Sequence, residues 1–68
     1  MTSIDALVGW RIRARRTELG MSPETLADII GLETDQVLAC EAGRRRAGAE
    51  DLIRLCAALD VGISYFYD

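Results

Sequence analysis

Arginine side chains dominate the chemistry that this 68-residue chain offers, since all eight of its basic residues are arginine. Three of them are consecutive, at 44–46, and four more lie within residues 11–16. A guanidinium group can donate paired hydrogen bonds to phosphate, so both clusters are candidate anion-binding segments. Residues 21–41, between them, contain five acids and no base. The net charge of −3 therefore conceals two basic segments around an acidic one.

Catalysis and metal binding are not expected of this chain, and we predict that it is not an enzyme. It has no histidine, no pair of a nucleophile with a general base, and no glycine-rich loop that could hold a phosphate group. Its two cysteines, Cys40 and Cys56, cannot complete a usual structural zinc site. We expect no cofactor, and we expect both cysteines to be thiols in a reducing compartment.

Residues 22–46 have the pattern of two short helices joined by a tight turn and followed by a basic loop. Ser22 is a candidate N-cap, and Gly31 suits the left-handed residue that ends many helices. Ala27 is small and Val37 is branched and apolar, which lets the two helices cross closely. This pattern predicts a helix-turn-helix, whose second helix can enter the major groove of DNA.

Apolar spacing and helix-ending residues predict the other elements. We expect a single all-α domain over residues 1–68, with helices at about 3–19, 23–30, 34–41 and 50–59 and a short turn at 65–67. No apolar run approaches the roughly 18 residues of a membrane span, and the N-terminus lacks the signal-peptide pattern. We therefore expect a cytoplasmic protein that does not bind membranes.

These features agree in order with a known family. The chain resembles the lambda-repressor-like helix-turn-helix family over about residues 8–67, at Val8 to Arg13, Arg16, Gly20, Leu26, Ala27, Gly31, Val37, Glu41, Gly43, Leu52 and Ala58 to Val61. The resemblance implies a five-helix domain with its third helix as the recognition helix, and a structural ion pair between Arg16 and Glu41. Glu41 also requires a partner on physical grounds, because its helical neighbours Val37 and Cys40 are apolar.

The resemblance further implies a transcriptional regulator that binds double-stranded DNA. The bases would be contacted from the start of the third helix, by Glu33, Thr34, Asp35, Gln36 and Ala39. The DNA backbone would be contacted by Arg11, Arg13, Ser22, Arg44, Arg45 and Arg46. The two acids on the recognition helix depart from the family pattern, since a carboxylate repels phosphate, although it can accept a hydrogen bond from cytosine N4.

A homodimer and a protein partner are two further expectations. Three aromatic residues, Tyr65, Phe66 and Tyr67, lie near the end of the chain, and some of them are expected to pack internally while the others form a two-fold contact. The alternative to DNA binding is a diverged helix-turn-helix domain that serves as a protein-interaction module. In that case the acidic face of the second and third helices would meet a basic partner.

Overall fold

The computed structural model describes residues 3–68, and it is built from helices and turns throughout this range. Met1 and Thr2, which belong to the domain predicted over 1–68, lie outside the described residues. The elements are α1 (Ile4–Glu18), α2 (Pro23–Ile30), α3 (Thr34–Glu41), α4 (Ala49–Leu59) and a 3₁₀ helix, η1 (Ile63–Tyr67). The all-α prediction is confirmed, with a 3₁₀ helix as the fifth element.

Local side-chain chemistry explains where α1 and α2 begin and where α2 ends. The Ser3 hydroxyl accepts a hydrogen bond from the backbone N–H of Ala6, and the Ser22 hydroxyl accepts one from the N–H of Thr25. Both contacts satisfy N–H groups that have no partner inside the helix. Gly31 ends α2 with a φ of 76°, a conformation that costs a residue with a side chain more than it costs glycine.

The core lies where the five elements converge. Its largest fully buried side chains come from α1, α2, α4 and η1, and they are Ile12, Leu26, Leu59 and Phe66. Val37 and Cys40 add the inner face of α3 to this cluster. The Nε of Arg15 donates to the carbonyl of Leu59 at 2.9 Å, which joins α1 to the end of α4. Each helix is therefore held by one apolar face, and its opposite face remains at the surface.

Within residues 3–68, no helix combines the length and the apolar character that a membrane crossing requires.

Candidate nucleic-acid interface

The inner side of α3 is fixed to α1 by a buried ion pair between Arg16 and Glu41. The Nε of Arg16 donates to Oε2 of Glu41 at 2.7 Å, and its Nη2 donates to Oε1 at 3.0 Å. Its Nη1 donates to the carbonyl of Met21, in the turn before α2, at 2.8 Å. One guanidinium therefore connects α1, the turn and α3, and the predicted ion pair is present in the structure.

The charge on Arg16 is favoured by this environment. Hydrogen bonding to Glu41 raises the pKa of Arg16 from its ordinary value, although burial acts in the opposite direction. The side chains of the two residues are only 10% and 6% exposed, so water screens their attraction weakly. Arg16 stays protonated at any physiological pH, and the pair is a permanent part of the scaffold.

Gly9 allows α1 and α3 to approach each other at backbone distance. A Cβ atom placed at Gly9 would overlap the carbonyl oxygen of Cys40 and lie 2.7 Å from the carbonyl oxygen of Glu41. No structural role of its own was assigned to Gly9 from the sequence. Its role in the helix crossing depends on a contact with residues more than 30 positions away, which no local pattern reports.

The outer side of α3 faces solvent along the length of the helix. Asp35, Leu38 and Ala42 are exposed, while Thr34 and Ala39 beside them are half-buried. The spacing of three and four residues places the exposed side chains on one face. Leu38, which is 42% exposed, was not among the predicted contacts. A large apolar residue three positions after Asp35, on the outer face of α3, is the signal that could have identified it.

Gln36 has a structural role that the sequence prediction did not include. Its Oε1 accepts a hydrogen bond from the backbone N–H of Glu33 at 2.9 Å, as a glutamine at the third helical position does in a capping box. Glu33 is the N-cap residue of α3 and remains exposed. The amide N–H groups of Gln36 and the second acceptor site of its oxygen are left for another ligand.

The three consecutive arginines after α3 have different environments. Arg44 is exposed and makes no ion pair within residues 3–68. The Nη1 of Arg45 lies 3.3 Å from the sulfur of Cys40 and 3.4 Å from Oδ2 of Asp51. The Nε of Arg46 lies 3.2 Å from Oδ1 of Asp5, but its side chain is 79% exposed.

This arrangement is a solvent-facing second helix of a helix–turn–helix pair, followed by a loop with exposed guanidinium groups. A comparison with known families gives a match to the helix-turn-helix domain over residues 7–64. The chain belongs to this helix-turn-helix family. Its resemblance to lambda-repressor-like regulators is confirmed by the solved structures that share its fold.

Among similar helix-turn-helix proteins are an uncharacterised regulator and two proteins of known structure. An HTH-type transcriptional regulator of Sinorhizobium medicae (strain WSM419) is 43% identical over 65 residues, which cover 96% of this chain and 47% of that protein. The restriction-modification controller protein C.AhdI of Aeromonas hydrophila has a TM-score of 0.86 at 34% identity, covering 91% of this chain and 94% of that one.

The P22 c2 repressor, solved in complex with a synthetic operator, has a TM-score of 0.82 at 29% identity, covering 87% of this chain and 89% of that one. The present helix-turn-helix chain spans about half the length of the Sinorhizobium regulator, since it covers 47% of that protein.

Two arginines of this helix-turn-helix domain are not placed as the sequence predicted. The guanidinium of Arg11 lies 5.6 Å from the ring centre of Trp10 and 5.4 Å from that of Tyr65, on the side of α1 that contacts η1. Gly9 marks the opposite side of α1 as the one that faces α3, so Arg11 points away from α3, and its contact with the DNA backbone stays a prediction. Arg45 also departs from its predicted role, because Nη1 faces Cys40 and Asp51.

Arg13 and Ser22 remain at the surface. Arg13 is exposed and lines a cleft with Leu38 and Ala42 at the end of α3. Ser22 is exposed at the N-terminus of α2, where its hydroxyl already caps the helix. Arg13 can therefore meet a ligand that contacts the end of α3.

The C-terminal aromatic residues separate into a core residue and surface residues. Phe66 has no exposed surface, so it is one of the aromatic residues that pack internally and it is not available for a dimer contact in this fold. Tyr65 is half-buried and its hydroxyl donates to the carbonyl of Arg11 at 3.4 Å. Tyr67 is 48% exposed and is the most exposed of the three C-terminal aromatic residues.

Proposed function

We propose that this chain is the DNA-binding part of a transcriptional regulator, with α3 in the major groove. The observation that carries the proposal is the division of α3 into two sides. Gly9 and the Arg16–Glu41 pair fix its inner side, whereas Asp35 and Leu38 on its outer side are exposed. A helix whose inner side is fixed to the domain and whose outer side is exposed can enter a groove as a rigid body.

The exposed basic groups beside α3 support backbone binding. Arg13 borders the end of α3, while Arg44 and Arg46 follow it in an exposed loop. Phosphate contacts of this kind supply most of the non-specific affinity of DNA-binding proteins, regardless of the protein's overall charge. The negative net charge of the chain is therefore compatible with DNA binding.

Related proteins support the same proposal. The Sinorhizobium relative is named as a transcriptional regulator, and the P22 c2 repressor was solved on a synthetic operator. A role on DNA also fits the cytoplasmic location that was expected from the lack of a membrane span and of a signal-peptide pattern.

We further propose a homodimer that uses the exposed part of the C-terminal turn. Ile63 and Tyr67, both in η1, are 50% and 48% exposed, so this element presents apolar side chains to solvent. A two-fold dimer would present two copies of α3 to half-sites about one helical turn of DNA apart. Sedimentation of wild-type protein and Tyr67→Ser tests this contact. The variant dimer should dissociate at a higher protein concentration than the wild-type dimer.

DNA binding can be tested with a fluorescent duplex pool at low salt. We expect affinity for all duplexes to fall as salt rises, with a log–log slope of about −0.9 for each phosphate that is neutralised. Arg44→Ala combined with Arg46→Ala should flatten this slope by about two per subunit. Arg54→Ala is the matched control, because Arg54 is an exposed arginine on α4. Absence of binding to the whole pool at low salt would refute the proposal.

A protein partner is the second candidate function, and the acidic surface favours it. Glu24, Asp28, Glu33 and Asp35 are all exposed on α2 and at the start of α3. Changing Glu33 and Asp35 to glutamine removes two repulsions from phosphate, so non-specific DNA affinity should rise if DNA is the ligand. The same double variant should lose affinity for a basic protein partner.

A further inference from the structure

We propose that Asp35 makes the domain select a cytosine in its DNA target, an inference that rests on the proposed function. Asp35 stands in the first turn of α3 and is exposed. It makes no ion pair within residues 3–68. Of the two carboxylates in α3, Glu41 is already bound to Arg16, so Asp35 is the carboxylate that the helix itself offers to a ligand.

The neighbours of Asp35 define what the rest of this surface can do. The amide oxygen of Gln36 already accepts a hydrogen bond from the backbone N–H of Glu33, so one of its two acceptor sites is occupied, whereas its N–H groups can donate to a ligand. Leu38 and Ala39 follow with apolar side chains that can contact a thymine methyl group but cannot form hydrogen bonds. Asp35 is therefore the charged hydrogen-bond acceptor on this part of α3, beside a Gln36 oxygen that is already engaged.

An ionised carboxylate can only accept hydrogen bonds, and this restricts the bases that it can face. In the major groove, guanine and thymine present acceptors, whereas cytosine N4 and adenine N6 are donors. Adenine N6 is flanked by acceptors, its own N7 on one side and thymine O4 on the other. Cytosine N4 has an acceptor on one side only, guanine O6, so a carboxylate meets less repulsion there.

The first experiment is a selection of bound sequences from a randomised duplex library, performed with wild type, Asp35→Asn and Asp28→Asn. Wild type should enrich cytosine at one position of each half-site. Asp35→Asn should shift that position toward adenine, because an amide pairs with adenine N6 and N7. Asp28→Asn is the matched control, since it removes one exposed carboxylate from α2 and should retain the cytosine.

The second experiment needs no variant that could misfold. In the enriched duplex, the selected cytosine is replaced by 2-pyrimidinone, which lacks the N4 amino group. Wild type should lose about fivefold or more in affinity, which is the lower end of the discrimination expected of a good base contact. Asp35→Asn should lose less on the same change, since its neutral amide oxygen is a weaker acceptor for the cytosine amino group than a carboxylate is.

The outcomes separate this inference from the proposed function. Enrichment of a sequence that keeps its cytosine in Asp35→Asn, or that tolerates 2-pyrimidinone, would overturn the role of Asp35 while leaving DNA binding intact. Failure of wild type to enrich any sequence would overturn sequence-specific binding and the cytosine inference together. Loss of cytosine in both Asp35→Asn and Asp28→Asn would show a general charge effect and would also overturn the inference.

Discussion

Gly9 of α1 lies directly against the backbone of Cys40 in α3, with no room for a methyl group between them. We expect Gly9→Ala to destabilise the fold by at least about 3 kcal/mol, since overpacking against rigid atoms is costly. The helical preference of alanine recovers only about 1 kcal/mol of this cost. Urea unfolding measures the difference.

Gly62→Ala is the control for that experiment. A Cβ at Gly62 meets no atom within 4 Å, and its backbone is extended with a φ of −81°. The control should unfold within about 0.5 kcal/mol of wild type, as surface substitutions usually do. Equal stability of Gly9→Ala and Gly62→Ala would contradict the close crossing of α1 and α3.

Removing Glu41 should be severe because it leaves the guanidinium of Arg16 buried without its anion. Breaking one side of a buried ion pair typically costs about 3–5 kcal/mol, which is a large part of the stability of a small domain. Thermal unfolding of Glu41→Ala is the measurement. Asp5→Ala breaks the pair with the largely exposed Arg46 and should cost less than about 1 kcal/mol. Similar losses of stability in Glu41→Ala and Asp5→Ala would mean that the burial of the Arg16–Glu41 pair does not increase its contribution to stability.

Asp5 should also limit the affinity for DNA, because it holds the Nε of Arg46 at 3.2 Å. Asp5→Asn removes this competitor, so affinity should rise by up to about fivefold, the equivalent of an exposed ion pair. Glu18→Gln makes the same change of charge at an exposed position of α1 and should have a smaller effect. Fluorescence anisotropy on one duplex compares the three proteins, and a larger gain for Glu18→Gln would refute this role of Asp5.

The end of α4 offers a stabilising substitution. Asp60 has a φ of 55°, which makes it the one non-glycine residue with positive φ among residues 3–68. Its negative charge also lies at the negative end of the helix dipole. Asp60→Gly should therefore raise stability by roughly 0.5–1 kcal/mol. Asp60→Asn removes the charge and keeps the side chain, so any further gain in glycine measures the backbone strain. A loss of stability in both variants would indicate that Asp60 makes a favourable interaction.

Local sequence signals were sufficient for most of the helix boundaries. The prediction of helices at 23–30 and 34–41 agrees with the structure, because Ser22 and Gly31 act on backbone groups within a few residues. The start of α4 was predicted one residue late, at 50 instead of Ala49. That helix begins after Gly48, which has no side-chain hydroxyl to mark the boundary.

Distant contacts account for what the sequence did not reveal. The resemblance implied that Arg11 and Arg45 contact the DNA backbone, and the sequence could not show that the ring of Tyr65 lies against Arg11 and that Asp51 pairs with Arg45. The internal position of Phe66 has the same cause, since its burial depends on how η1 returns to α1 and α4. Residue type indicated that these side chains matter but not which neighbour they meet.

The capping bond between Gln36 and Glu33 has a consequence for how this surface can change during evolution. Asp35 and Leu38 contribute no side-chain hydrogen bond to the described fold, so mutations there can alter ligand preference with little loss of stability. Gln36 is different, because its amide oxygen accepts the hydrogen bond that caps the N-terminus of α3, the helix that contains both residues. Glutamate is the replacement that keeps an acceptor of similar reach. Substitutions that change binding specificity are therefore tolerated at Asp35 and Leu38, whereas substitutions at Gln36 are constrained by its role in the fold.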